Sequence, residues 1–158
     1  MKNLKSERGQ SLVELSISLV MLLYLLSGAV EFGLAFFQFV QLRDAAQEGA
    51  LFGSMDPSNS GGLVPDPIET RVRAASSSPI DLADPGLVTV TITAKDSAGN
   101  PLPVNGACEG DALTVDVEFE HQIFMPFIPQ LIGRSTLPLK ATVTDTVLAP
   151  VQTAPTCN

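Results

Sequence analysis

The sequence has little of the chemistry on which most enzyme and metal sites depend. Its 158 residues include one histidine, two cysteines and no tryptophan. A single histidine excludes any site with two histidine ligands, and it leaves Ser/His/Asp and Cys/His catalytic arrangements without support. The sequence also has no Walker motif, which argues against a nucleotide-driven motor. We therefore expect no enzyme activity, no metal site and no cofactor.

Basic residues are scarce as well. The net charge is -8, and after Val40 six Lys and Arg residues stand against fourteen Asp and Glu residues. An acidic surface repels phosphate, so nucleic acid is excluded as a partner and anionic lipid headgroups are disfavoured. Asp116, Glu118 and Glu120 share one face of a predicted strand. They form either a weak calcium site or, as we favour, a solvated face.

A long apolar run lies near the N-terminus. Leu12 to Val30 comprises 19 residues with one charge, Glu14. As a helix the run is about 28 Å long, close to the thickness of the hydrocarbon core of a bilayer. The run predicts a membrane-spanning helix. The alternative is a cleavable signal cut near Ser27-Gly28-Ala29, but the apolar residues continue to Phe39.

The charges that flank this run predict its direction. Three basic residues precede it, and acidic residues dominate after it: Lys2, Lys5 and Arg8 against the fourteen Asp and Glu. The positive-inside rule then places the N-terminus in the cytoplasm and the remainder outside, with a single pass. Glu31 stands near the outer end, and we expect its carboxylate to reach headgroups and water.

The helix is predicted to continue beyond the membrane, because the first helix breakers are Gly53-Ser54 and Asp56-Pro57. The ladder Ala45-x-x-x-Gly49-x-x-x-Gly53 permits close helix approach, although such spacings also arise by chance. Residues 55–65 have the composition of a linker. Residues 66–158 are predicted to form an extracytoplasmic α+β domain.

The last segment combines one short helix with three alternating strands. A helix face is predicted from Ile68, Val72 and Ala75, and strict alternation marks residues 88–94, 113–119 and 137–143. Short links between these strands indicate an antiparallel meander. The predicted fold is therefore α+β: a long N-terminal transmembrane helix projecting into a small domain with a short helix and a three-stranded, or larger, antiparallel sheet.

Two further features of this domain leave alternatives open. Cys108 and Cys157 predict a disulfide in an extracytoplasmic setting, and two unrelated thiols are the alternative. The loop from Ile123 to Ile132 is apolar and contains two prolines. It either folds over the small core or exposes a patch to a partner or to the outer membrane surface. Its candidate contact residues are Phe124, Met125, Phe127 and Ile128.

Three short motifs suggest a family. They are Arg8-Gly9-Gln10-Ser11-Leu12-Val13-Glu14, then Val30-Glu31-Phe32-Gly33, then Ala45-Ala46-Gln47-Glu48-Gly49-Ala50. The first resembles the processing site of type IV prepilins and pseudopilins. Together the three resemble the TadE-like family of the tight-adherence (Tad, Flp-type) pilus systems, over about residues 7 to 53. Leu15 departs from the pattern, since the family often has an aromatic residue there.

The resemblance implies a pilin-like subunit and a set of site residues. Residues 1–9 would be a basic cytoplasmic leader, cut between Gly9 and Gln10 by a prepilin peptidase, and residues 10–54 would form the long transmembrane and projecting helix. Glu14 would contact the new α-amino group of a neighbouring subunit in the membrane.

The resemblance also implies a location and partners. The chain would be a minor pilin or pseudopilin in the cytoplasmic membrane, and it would form homo- or hetero-oligomers with other pilins and Tad assembly proteins. Membrane lipid would surround its anchor. The alternative is a single-pass anchored adaptor or ligand-binding domain unrelated to pili.

Overall fold

A computed structural model describes residues 7–55, 65–126 and 128–148. The elements are helix α1 (Glu7–Met55), helix α2 (Pro65–Ala74), strand β1 (Val88–Lys95), strand β2 (Pro101–Leu102), strand β3 (Ala112–Gln122), helix α3 (Ile128–Ile132) and strand β4 (Thr136–Thr146). The predicted α+β class, with a long N-terminal helix, a short helix and an antiparallel sheet, is confirmed.

Helix α1 is 49 residues long and contains no proline. It ends at Met55, beside the breakers predicted at Gly53-Ser54 and Asp56-Pro57. Helix α2 begins with Pro65, which suits the first turn because proline has no N–H to leave unpaired. Ile68 and Val72 on its predicted apolar face are buried, so this face is confirmed.

The sheet has the strand order β2-β1-β3-β4. Strands β1 and β3 pair antiparallel with Val88 opposite Phe119 and Lys95 opposite Ala112. The three predicted strands are therefore neighbours in chain order, which confirms the meander. Strand β2 was not predicted; it pairs with the end of β1 through Ala94 and Leu102. Pro138 lies on the edge strand β4, where a missing N–H costs least.

The chain divides into two compact units. The first unit comprises Met1–Ala35 and Gln122–Leu137, and the second comprises Phe36–His121 and Pro138–Asn158. The hydrophobic core lies in the second unit. Its buried members come from the second part of α1, from α2 and from the sheet, and include Leu42, Ala46, Val72, Leu113, Val115 and Val117.

Three of the predicted segments fall partly outside the described residues. Residues 1–6 of the proposed leader, residues 56–64 of the proposed linker, and residues 127 and 149–158 of the proposed domain are not described. The division into leader, long helix, linker and extracytoplasmic domain therefore stays a prediction.

Candidate membrane and assembly segment

The first part of α1 exposes its apolar side chains. Between Gly9 and Val30 no residue is buried, and Leu25 is 75% exposed. An apolar surface of this size is normally covered by lipid or by the apolar surface of another protein. Within the described residues, one helix is long and apolar enough to cross a membrane, and it is α1. Length and composition thus suit a single-pass membrane anchor.

The predicted processing residues lie at the start of this exposed part. Gly9, Gln10 and Glu14 are all helical and exposed, and a methyl group placed on Gly9 would meet no described atom within 4 Å. Gln10 and Glu14 are four residues apart and so occupy one helix face. The structure therefore brings Gln10 and Glu14 to one side of α1. Their roles stay predictions.

Glu31 makes a tertiary contact that the sequence did not predict. Its side chain is 7% exposed, and its two carboxylate oxygens accept hydrogen bonds from the backbone N–H groups of Phe124, at 3.2 Å, and Met125, at 2.8 Å. The expectation that Glu31 faces headgroups and water is wrong. The two bonding groups lie about ninety residues further along the chain, so no local pattern predicts the contact.

The apolar loop between β3 and β4 lies in the first unit with Glu31. Met125 and Pro126 line a groove of about 440 Å³ with the α1 residues Val20, Leu23, Tyr24, Leu26, Ser27 and Val30. None of the loop's described residues belongs to the hydrophobic core. Phe124 is 68% exposed, Met125 and Ile128 are half-buried, and Phe127 lies outside the residues whose side chains are described.

The comparisons with known proteins identify part of α1. Residues 9–51 match the family model of TadE-like protein.

This match confirms the suspected resemblance, and we call residues 9–51 the TadE-like segment. The matched residues all lie in α1, so the likeness concerns this helix. No curated protein and no solved structure matches the chain.

The later part of the TadE-like segment packs in the second unit through small residues. Ala45, Ala46 and Ala50 are buried. A Cβ atom on Gly49 would lie 2.3 Å from Cγ2 of Val72, closer than any real contact. The small-residue ladder therefore serves close approach of α1 to α2, as its spacing predicts.

Two glutamines of the TadE-like segment make buried hydrogen bonds. The Gln41 amide donates to the Ile80 carbonyl at 2.7 Å and accepts from the Ile80 N–H at 3.0 Å, as a neighbouring strand would. Gln38 Oε1 bonds to Nδ1 of His121, which is fully buried near the end of β3. These contacts tie α1 to the segment after α2 and to the sheet.

The acidic strand face is neutralised by a neighbouring strand. The Lys140 ammonium donates to Glu118 at 2.7 Å and lies 3.5 Å from Asp116. The hydrogen bond to Glu118, followed by the charge of Asp116, raises the pKa of Lys140 above its usual range. No group of three metal-binding side chains occurs among the described residues. Asp116 and Glu118 on this face thus share Lys140 as their ion-pair partner.

The predicted disulfide has one described partner. Cys108 is half-buried, and its backbone N–H donates to the Asp111 carboxylate at 2.8 Å. Cys157 lies outside the described residues. The pairing stays a prediction.

Proposed function

We propose that this chain is a TadE-like minor pilin or pseudopilin, a structural component in the assembly of a tight-adherence pilus at the cytoplasmic membrane. The observation that carries the proposal is the family match over residues 9–51. The exposed apolar surface of α1 supports it, because a helix of this kind needs lipid or other apolar helices around it. Other pilins, pseudopilins and Tad assembly proteins are the proposed partners.

The proposed topology follows from charge. The basic residues before the span keep the N-terminus in the cytoplasm, and the acidic remainder lies outside. A prepilin peptidase would cut between Gly9 and Gln10 on the cytoplasmic side. The exposure of both residues supports access by an enzyme.

Glu14 is the proposed assembly contact. A carboxylate within a span is costly unless a cation pairs with it. Cleavage after Gly9 would create an α-amino group at Gln10, and that group on a neighbouring subunit would supply the cation. Because Glu14 is exposed on α1, its carboxylate is open to a second helix.

The mature N-terminus tests the processing step. We expect intact mass and N-terminal sequencing of membrane-derived protein to show a start at Gln10, and Gly9→Ala to abolish that start. Open space surrounds Gly9, and alanine favours a helix by about 1 kcal/mol over glycine. Lost cleavage would therefore report recognition by the peptidase and not misfolding.

Gly28→Ala is the matched control, since open space also surrounds Gly28 on the same helix. It should be cleaved like the parent protein. A start at Met1, in a host with an active prepilin peptidase, would contradict the proposal and favour the anchored adaptor. A start near Val30 would contradict the membrane anchor itself.

A second test removes the charge of Glu14. Glu14→Gln should be cleaved normally but should lose incorporation into the pilus assembly, measured by co-purification with the other pilus proteins. Ser18→Ala, also exposed and one turn further along α1, is the control and should retain incorporation. Normal incorporation of Glu14→Gln would show that the charge contact is not needed.

A further inference from the structure

The loop between β3 and β4 has an unusual composition for a surface connection. From Gln122 to Gly133 the sequence has no charged residue, and Gln130 is the one polar residue within Ile123–Ile132. Phe124 and Leu131 are 68% and 78% exposed. Large apolar side chains in an uncharged, exposed stretch mark a surface that meets lipid or another protein.

The first part of this loop, residues 123–126, has no free backbone donor. The N–H groups of Phe124 and Met125 bond to Glu31, and the N–H of Ile123 bonds to the Ser135 carbonyl at 3.0 Å. Pro126 and Pro129 have no N–H. In water an unpaired N–H is satisfied by solvent at little cost, whereas in hydrocarbon it costs several kcal/mol. Residues 123–126 therefore have every backbone donor paired or absent, which fits a water-free environment.

The neighbours of the loop point to the same environment. Met125 and Pro126 line one apolar groove together with Leu23, Tyr24 and Val30 of α1. These α1 residues belong to the stretch that is proposed to cross the membrane. Leu23 precedes Glu31 by eight residues, which is about 12 Å along a helix. The loop thus lies beside the outer part of the span.

We propose that residues 123–126 and 128–132 insert into the hydrocarbon of the membrane, in the leaflet that holds the outer end of α1, as a second lipid-contacting element. The proposal rests on the part of the proposed function in which α1 spans the bilayer. Glu31 is the positioning residue: it holds the loop against the span through two backbone hydrogen bonds and so satisfies donors that lipid cannot.

Lipid is favoured over a protein partner by the hydrogen bonds and the charges. A protein surface offers acceptors and charges, and binding loops for such surfaces keep some polar groups free to meet them. Here Glu31 and the prolines remove donors before any partner arrives, and no side chain from Gln122 to Gly133 carries a charge.

Tryptophan fluorescence can test the insertion, because the chain has no tryptophan of its own. Phe124→Trp and Leu131→Trp replace exposed side chains, so little packing changes. The full-length variants would be reconstituted in phosphatidylcholine vesicles with brominated acyl chains. We expect bromine to quench both tryptophans, and aqueous iodide to leave both largely unquenched.

Two control positions separate the loop from the anchor. Leu25→Trp, in the proposed span, should be quenched by bromine, and Leu87→Trp, an exposed leucine of the second unit, should be quenched by iodide. Loss of bromine quenching at position 25 would contradict the anchor. Bromine quenching at position 25 with iodide quenching at positions 124 and 131 would overturn the loop insertion alone.

Shielding from iodide without bromine quenching would mean that protein covers the loop, and this result would also overturn the proposal. The positioning role of Glu31 has its own test. Adding Glu31→Ala to Phe124→Trp should weaken bromine quenching and increase iodide quenching, whereas adding Glu14→Ala should change neither. Unchanged quenching with Glu31→Ala would show that Glu31 does not hold the loop in place.

Discussion

Residues 9–35 and residues 36–55 belong to one helix, but they differ in where their apolar side chains lie. In the first stretch the leucines and Phe32 are exposed, with Leu25 and Phe32 among the most exposed. In the second stretch Leu42 is fully buried, and small residues such as Ala46 and Gly49 meet α2. The first stretch exposes large apolar side chains, whereas small residues of the second stretch make close contacts with other parts of the chain.

The difference shows that apolar composition alone does not define a role. An exposed leucine in the first stretch is available for contact with lipid, whereas a buried leucine in the second contributes to the stability of the hydrophobic core. Polar residues differ in the same way. Glu14 is exposed, whereas the side-chain amide of Gln41 makes buried hydrogen bonds with the backbone of Ile80.

Matched leucine substitutions should produce the largest contrast. Leu42→Ala leaves a cavity in the core of the second unit and should lower the free energy of unfolding by about 3 kcal/mol. Leu25→Ala should leave that free energy unchanged and should weaken membrane insertion by at most about 0.6 kcal/mol. Hydrogen exchange of the β3 amides in micelles measures the free energy of unfolding. Equal losses for the two variants would contradict the division of α1.

Replacing a glycine by leucine should destabilise the protein in the second stretch but not in the first. Gly49→Leu collides with Val72 and should destabilise the second unit by about 2 kcal/mol. Gly33→Leu enters open space and improves helix propensity, so it should not destabilise. The urea midpoint for loss of the sheet signal in circular dichroism checks both. A stable Gly49→Leu variant would show that the approach of α1 and α2 is not tight.

Matched glutamine substitutions should give a smaller difference. Gln41→Ala leaves the N–H and carbonyl of Ile80 without their side-chain partner and should cost about 1.5 kcal/mol. Gln47→Ala, at an exposed position of the same stretch, should cost little. Thermal unfolding midpoints of the two variants provide the measurement. The hydrogen-bonding role of Gln41 would be refuted if the two midpoints were equal.

The smallest effect should appear in the turn after β1, where the second unit meets water. The Asn100 side chain, followed by its backbone N–H, donates to the Asp96 carboxylate and lowers the pKa of Asp96 below its ordinary value of 3.8. The ionised form is therefore stabilising above the ordinary value, and this contribution is lost as the pH falls through the lowered one. Asp96→Asn should therefore be less stable than the parent at neutral pH, and this difference in stability should shrink as the pH falls.

The unfolding midpoint of the two proteins at neutral pH and at acid pH tests this sign. Asn100→Ala removes the main donor, and its loss of stability relative to the parent should also shrink as the pH falls. A loss of stability that grows on acidification would contradict the role of the Asn100 hydrogen bonds in lowering the pKa of Asp96.

Local patterns predicted much of this fold. Alternation along Thr89–Thr93 and its counterparts gave three of the four strands, because one face of each must be buried. The spacing of Ile68 and Val72 gave the buried face of α2. Strand β2 escaped prediction because two residues, Pro101 and Leu102, are too few to show alternation, and pairing with Ala94 defines the strand.

The candidate site was predicted less completely. The motif from Arg8 to Glu14 and its two companions suggested the TadE-like resemblance, and apart from Arg8 they lie within the matched residues 9–51. The contact of Glu31 with the β3–β4 loop was missed, because hydrogen bonds to backbone N–H groups leave no side-chain pattern in the loop. Such a contact depends on tertiary arrangement alone.

The separation between Glu31 and its loop has a consequence for biosynthesis. Met125 follows Glu31 by 94 positions in the chain. During synthesis, α1 leaves the ribosome well before the loop exists, so we expect an interval in which the Glu31 carboxylate has no loop to hold. Synthesis of the loop then ends that interval and joins α1 to a segment that is made much later.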